Sequence, residues 1–146
     1  MQKNQRPIAE MVVVVTGASS GAGRAMALEL AKRGTSLVLA ARRQEALAEV
    51  AADCANFGSQ AVIQVCDVKE MLSVHLLAKA ALEKFGRIDA WINNAGVLAA
   101  GAVDAIPADV NEDVIRTNLL GYIHGAQAVL PIFKKQGYGT IVNNIS

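Results

Sequence analysis

VVVVTGASSGAG, from Val12 to Gly23, is the stretch from which the rest of the fold can be predicted. Four consecutive valines without polar alternation predict a strand buried on both faces, and the alanine-rich AGRAMALELAKR that follows predicts a helix. The glycines between them leave room for a phosphate group to reach the backbone N–H groups at the helix N-terminus. The stretch therefore predicts a strand, a phosphate-binding turn and a helix.

The three glycines of this turn have separate expected tasks. Gly17 allows the chain to turn, Gly21 admits the ligand, and Gly23 allows the helix to pack closely on the strand. An ordinary tight turn would show the same glycines, so other segments must support the interpretation. The predicted binding residues of the turn are Gly17, Ser19, Ser20, Gly21, Ala22 and Gly23.

Strands and helices are predicted to alternate along the whole chain. The predicted strands are 12–16, 36–41, 60–68, 88–93 and 139–146. The predicted helices are 22–33, 44–57, 70–85 and 108–133. Pro131 should bend or end the last helix. Near-continuous apolar strands that alternate with helices predict an α/β fold with a parallel sheet covered on both faces.

Composition indicates one domain and excludes several classes of partner. The 146 residues are 53% hydrophobic and 18% charged, and the formal net charge is +1. This charge gives no reason to expect nucleic acid or a membrane surface as a partner. The first ten residues are polar, and the valine run is too short for a signal peptide or a spanning helix. We therefore expect a cytoplasmic protein.

The two cysteines predict neither a disulfide nor a metal site. Cys54 is expected in the core, on a helical stripe with Leu47, Val50 and Phe57. Cys66 closes an apolar strand, and neither cysteine has the CxxC spacing of redox or zinc sites.

Polar residues follow the predicted strands, where ligands of parallel α/β sheets bind. The segments are Thr16 to Gly23, Arg42 and Arg43, Asp67 and Val68, Asn93 to Gly96, and Asn143 to Ser146. Structural roles are also open at this point: Asn94 could satisfy backbone groups in a turn, and Asp67 could cap a helix.

Four motifs in this order resemble the short-chain dehydrogenase/reductase family. TGASSGAG at 16–23 fits its TGxxxGxG, and NNAG at 93–96 is its second signature. Asn118 in RTNLLG matches its helix asparagine, and GTIVNNIS looks like the segment that leads to its active-site serine, here Ser146. The resemblance implies a Rossmann-type doubly wound sheet with strand order 3-2-1-4-5. It covers the whole chain.

The resemblance also implies a reaction, which is hydride transfer between a nicotinamide cofactor and an alcohol, ketone or aldehyde. In the family a serine polarises the substrate oxygen, and the helix asparagine holds a water of the proton relay; Ser146 and Asn118 match these positions. Cofactor contacts are implied at Asp67, Val68, Asn94, Ala95 and Gly96. Members commonly pair through the long helix, so a homodimer or homotetramer is expected.

Two arginines predict NADP(H) rather than NAD(H). The residue that contacts the adenosine ribose should lie roughly twenty residues past the glycines, at the end of the second strand. Arg42 and Arg43 stand there, and guanidinium groups form charge-assisted bonds with phosphate. Two solvated arginines that open a helix remain the alternative.

The proton donor of the family has no match in these residues. Tyr122 and Tyr138 are followed four residues later by Ala126 and Val142, so neither fits YxxxK. We expect residues 1–146 to be the cofactor-binding part of a longer single-domain enzyme. A non-catalytic dinucleotide-binding or sensing module remains possible. A methyltransferase is disfavoured, because Ala41 and Arg42 replace the acidic residue that it needs.

We predict that the 146-residue chain alone has no dehydrogenase turnover. A positioned acid or base typically contributes about 10² to 10⁴ in rate, and tyrosine, with a pKa near 10, needs a neighbouring cation to act at neutral pH. NADPH absorbance followed with a panel of aldehydes and ketones should stay constant. Turnover that disappears in Tyr122→Phe or Tyr138→Phe would contradict this prediction.

Overall fold

The computed structural model describes residues 6–145, which form one five-stranded parallel sheet with helices on both faces. The strands are β1 Val12–Thr16, β2 Ser36–Ala41, β3 Ala61–Val65, β4 Ala90–Asn93 and β5 Thr140–Asn143. The helices are α1 Gly21–Lys32, α2 Gln44–Ala55, α3 Met71–Phe85, α4 Ala108–Ile115 and α5 Gly121–Gln136. The strand order is β3-β2-β1-β4-β5, which confirms the predicted Rossmann-type topology.

The central strand β1 determines where a ligand can bind. All five of its residues are buried, as the valine run predicted. It pairs with β2 from Val12↔Ser36 to Thr16↔Ala40, and with β4 on its other side. The chain runs from β1 to β2 and β3 on one side and then crosses to β4 and β5 on the other, so a crevice opens beyond the carboxyl end of β1.

Each face of the sheet packs against its own layer of helices. One core contains Trp91 and residues of α3 and α5; the other contains Leu37 and residues of α1 and α2. Cys54 and Cys66 are buried and free, and burial raises the pKa of both thiols. Phe57 does not share the buried stripe of Cys54 that the sequence predicted, because it is 48% exposed. The centroid of its ring lies 5.5 Å from Lys32 Nζ.

The long helical segment differs from the prediction at its end. Pro131 lies inside α5, which continues to Gln136 and ends at Gly137 in the left-handed conformation. The predicted end at residue 133 is therefore wrong. The helix persists beyond the proline because Val129 and Phe133, on either side of it, are buried against the sheet. A π-helical turn, Arg116–Leu120, joins α4 to α5.

A glycine allows α5 to lie close to the sheet. A Cβ at Gly125 would stand 2.6 Å from Trp91 Nε1 and would overlap Asn93 Oδ1. These two atoms are themselves hydrogen-bonded at 2.8 Å, so neither can easily move away. The close approach places the π-helical turn beside the carboxyl ends of the strands. No helix within residues 6–145 is long and apolar enough to cross a membrane.

Candidate functional site

The glycine turn between β1 and α1 leaves the helix N-terminus open. Gly17 and Gly21 have φ of 65° and 53°, in the region that favours glycine, and a Cβ at Gly21 would have open space around it. Ser20 stands at the N-cap and its side chain forms no capping bond. Backbone N–H groups at such an N-terminus are available to an anion.

Asn94 fixes this turn to the end of β4. Its Nδ2 donates to Thr16 O at 3.0 Å and Gly17 O at 3.3 Å. A Cβ at Gly23 would lie 2.5 Å from the same nitrogen and would overlap the Gly17 carbonyl oxygen. Gly23 therefore packs beneath the turn, as expected, and Asn94 does satisfy backbone groups there.

Thr16 belongs to the segment 16–23 that the sequence singled out, but its hydrogen bonds were not predicted. Its hydroxyl donates to Ile92 O at 3.2 Å and accepts from Asn94 N at 2.9 Å and Ala95 N at 3.1 Å. It is 1% exposed. Its place at the end of a buried strand was the available signal, since a hydroxyl in a run of valines needs partners.

The ends of β2 and β3 supply the charged part of the site. Arg42 and Arg43 are exposed directly after β2, and Ala18 N donates to Ala40 O at 3.0 Å to hold the glycine turn nearby. Asp67 follows β3, and its Oδ1 accepts from Lys69 N at 3.0 Å. The capping alternative for Asp67 is wrong, because Glu70 occupies the N-cap position of α3.

Asn118 is hydrogen-bonded to the loop after β4. Its Oδ1 accepts from Val97 N and its Nδ2 donates to Val97 O, both at 2.9 Å. The side chain is half-buried, so it is not an ordinary helix-surface residue. These two bonds use one of the two lone pairs of Oδ1 and one of the two N–H groups of Nδ2, so one of each can still bond a ligand or a water.

Asparagines join the ends of β4 and β5, which was also not predicted. Asn144 Nδ2 donates to Asn94 Oδ1 at 2.8 Å, and Asn93 Nδ2 donates to Asn143 Oδ1 at 2.9 Å. The Tyr122 hydroxyl donates to Asn144 O at 2.6 Å, and burial raises the pKa of Tyr122. The NN pair at the end of each strand, at 93–94 and 143–144, was the available signal. Ser146 lies outside the described residues.

One cleft of about 1430 Å³ runs along these strand ends. All the predicted binding residues except the packed Gly23 line it, and so does Asn118. The lining residues that the sequence singled out are Gly17, Ser19, Ser20, Gly21, Ala22, Arg42, Arg43, Asp67, Val68, Asn94, Ala95, Gly96 and Asn118. Within residues 6–145, no cluster of three histidine, cysteine or acidic side chains could hold a metal ion.

A family model described as short chain dehydrogenase matches residues 11–146. The chain belongs to the short-chain dehydrogenase/reductase family. An uncharacterised oxidoreductase of Listeria monocytogenes is 38% identical over 135 residues, which are 92% of this chain and 54% of the relative. The family match therefore covers nearly all of this chain and not only its motifs.

Solved structures of the short-chain dehydrogenase/reductase family have the same fold. A member from Burkholderia phymatum in complex with NAD has a TM-score of 0.90 at 36% identity, covering 95% of this chain and 50% of that one. An alcohol dehydrogenase from Thermococcus sibiricus complexed with 5-hydroxy-NADP has a TM-score of 0.85 at 32% identity, covering 90% and 57%. The chain spans about half the length of the curated relatives that it matches.

We predict that Thr16→Val lowers the free energy of unfolding by about 2 kcal/mol or more. Valine has the same shape, but two backbone N–H groups lose their acceptor, and each unsatisfied donor costs about 1 to 3 kcal/mol. Urea denaturation measures the change. Thr140→Val is the control, because Thr140 is exposed at the start of β5. Equal effects of the two substitutions would contradict the role assigned to Thr16.

Proposed function

We propose that this chain is the cofactor-binding part of an NADP(H)-dependent oxidoreductase. The reaction is hydride transfer between the nicotinamide and an alcohol, ketone or aldehyde. One observation supports this most: a single cleft joins the glycine turn, the two arginines and the polar ends of β3, β4 and β5. The cytoplasmic location stays a prediction from the sequence.

The glycine turn fits the pyrophosphate of a dinucleotide. The φ angles of Gly17 and Gly21 disfavour any side chain, and the open space at Gly21 leaves the α1 N-terminus accessible. Ser19 and Ser20 line the same place and can donate hydroxyl hydrogen bonds. The partial positive charge of the helix N-terminus favours a phosphate there.

The arginines support the 2′-phosphate of NADP(H) at the adenosine end. Both line the cleft directly after β2, where an acidic residue would instead accept bonds from a free ribose hydroxyl. Relatives do not decide this point, since one structural neighbour holds NAD and another holds an NADP derivative. Asp67 and Val68, at the neighbouring strand end, are proposed to contact the adenine.

The proposed catalytic residues are Asn118 and Ser146. The nicotinamide, when bound, supplies or accepts the hydride. Ser146 is proposed to polarise the substrate oxygen, and Asn118 to use its remaining hydrogen-bonding capacity for a water. Tyr122 is a poor substitute for the missing proton donor, because burial raises its pKa and its hydroxyl is bonded to Asn144 O. This supports the predicted inactivity of residues 1–146 alone.

A non-catalytic dinucleotide-binding or sensing module is the second candidate. The glycine turn, the arginines and the strand ends along one cleft would hold a dinucleotide in this case as well. The two candidates differ in one measurement: oxidoreductase activity of the complete protein, which a sensing module would lack while still binding the dinucleotide.

We predict that the complete protein is a homodimer or homotetramer that pairs through α4 and α5. Ile115, Leu119 and Ile123 are 54%, 56% and 43% exposed, while Val129 on the same segment is buried. Light scattering at micromolar concentration should give a multiple of the chain mass, and Leu119→Glu with Ile123→Glu should give a monomer. Phe57→Glu, on the opposite helix layer, is the control. A monomeric mass before substitution would refute the prediction.

We predict that Arg42→Ser with Arg43→Ser weakens NADPH binding by about 10- to 100-fold. Each hydrogen bond to a charged group contributes about 1.5 to 3 kcal/mol, and NADH lacks the phosphate that receives it. NADH affinity should therefore change by no more than about threefold. Calorimetric titration with both cofactors measures the difference. Arg33→Ser is the control, since Arg33 ends α1 near the start of β2, away from the cleft. Tighter or equal binding of NADH by the unaltered chain would refute the preference.

A further inference from the structure

Three consecutive residues after β3 contact the α4–α5 segment. This loop, residues 67–70, carries Asp67 and Val68 at the cleft. One of its contacts with this segment is a hydrogen bond to a backbone carbonyl, and the other two are ion pairs. They are Val68 with His124, Lys69 with Asp113, and Glu70 with Arg116.

The backbone contact fixes how far the loop stands from the helix. Val68 O lies 2.8 Å from His124 Nδ1, and since a carbonyl only accepts, that nitrogen carries the hydrogen. Val68 is 8% exposed, and a Cβ at Gly121 would lie 2.8 Å from its Cγ2. The helix therefore lies directly on Val68.

The Lys69–Asp113 ion pair ties the loop to α4. Lys69 Nζ lies 2.7 Å from Asp113 Oδ1 and 3.9 Å from Asp67 Oδ2. The hydrogen bond from Lys69 lowers the pKa of Asp113, and the charges of Lys69, Arg42 and Arg116 lower it further. Asp113 is therefore ionised at neutral pH, and the Lys69 side chain is only 22% exposed between the two carboxylates.

The pair stands behind the wall of the cleft. Two valines line the cleft: Val68, which precedes Lys69, and Val114, which follows Asp113. Lys69 and Asp113 themselves do not line it. Lys69 and Asp113 can therefore act on a ligand by setting the distance between the two walls that carry those valines.

We propose that the Lys69–Asp113 ion pair is a latch that holds residues 67–70 against α4 and so sets the opening of the adenosine end of the cleft. Lys69 and Asp113 are positioning residues. The inference rests on the proposed function, because it places an adenosine nucleotide beside Asp67 and Arg42. A partly exposed ion pair contributes little to global stability, so loss of the latch should change ligand affinity more than unfolding.

The test is a double-mutant cycle on the binding of ADP-ribose, which contains the adenosine end without the nicotinamide. Lys69→Met and Asp113→Asn should each weaken binding by about fivefold, and the double variant by no more than the worse single one. Lys69→Arg, which keeps the charge, should bind within about twofold of the unaltered chain. Calorimetry measures affinity, and thermal unfolding should show nearly unchanged midpoints.

Lys79→Met and Glu83→Gln provide the matched control. These residues form an ion pair of 3.5 Å on the exposed surface of α3, where each side chain is 66% exposed. ADP-ribose affinity should not change in either variant.

Separate outcomes would overturn the latch and the proposed function. Unchanged or tighter binding in Asp113→Asn would show that Lys69 contacts the ligand itself and would refute the latch. Additive losses in the cycle, or losses that follow the unfolding midpoint, would refute it as well. No binding of either ADP-ribose or NADPH by the folded, unaltered chain would refute the proposed function together with the latch.

Discussion

The close contact between the glycine turn and Asn94 is the constraint on which the cleft depends. Asn94 Nδ2 lies 3.0 Å from Thr16 O, and a Cβ at Gly23 would collide with that amide nitrogen and with the Gly17 carbonyl. Only glycine at position 23 lets α1 begin so close to β1. The carboxamide then satisfies carbonyls that the turn withdraws from strand pairing, since buried carbonyls without partners are costly. The helix N-terminus is therefore presented at a fixed place beside β4.

The same carboxamide connects the turn to the far side of the site. Asn94 Oδ1 accepts from Asn144, which follows β5, so one side chain bonds both the phosphate-binding turn and the strand that leads toward Ser146. Asn93 and Asn143 are register partners in the sheet, and their side chains are bonded too. Hydrogen bonds between side-chain amides thus connect β4 and β5 at their last residues and at the residues that follow them. These hydrogen bonds connect the strand ends at the place where the proposed reaction requires fixed distances.

The strands, the helices and the glycine turn could be predicted from local signals, whereas the strand order came from the resemblance to the family. Buried strands are continuous apolar runs, and glycine spacing marks the turn. The misses involve tertiary contacts. Pro131 remains in α5 because packing of the helix on the sheet outweighs the lost backbone bond. Lys69 and Asp113 are 44 positions apart, and nothing in their local sequence pairs them. Phe57, which was predicted inside the second helix, lies just after α2 and contacts Lys32 instead of the core.

The proposed latch and the proposed cofactor preference are connected through Asp113. Its carboxylate is close enough to Arg42 for that charge to lower the Asp113 pKa, so the two groups attract each other without a ligand. At the proposed site a 2′-phosphate would compete with this carboxylate for Arg42, which would reduce the net gain from the new contact. Lys69, the nearer cation, offsets much of the carboxylate charge at 2.7 Å. The proposed latch would therefore also leave Arg42 available, and under the proposed function selectivity for phosphate at this edge depends on the three charges together.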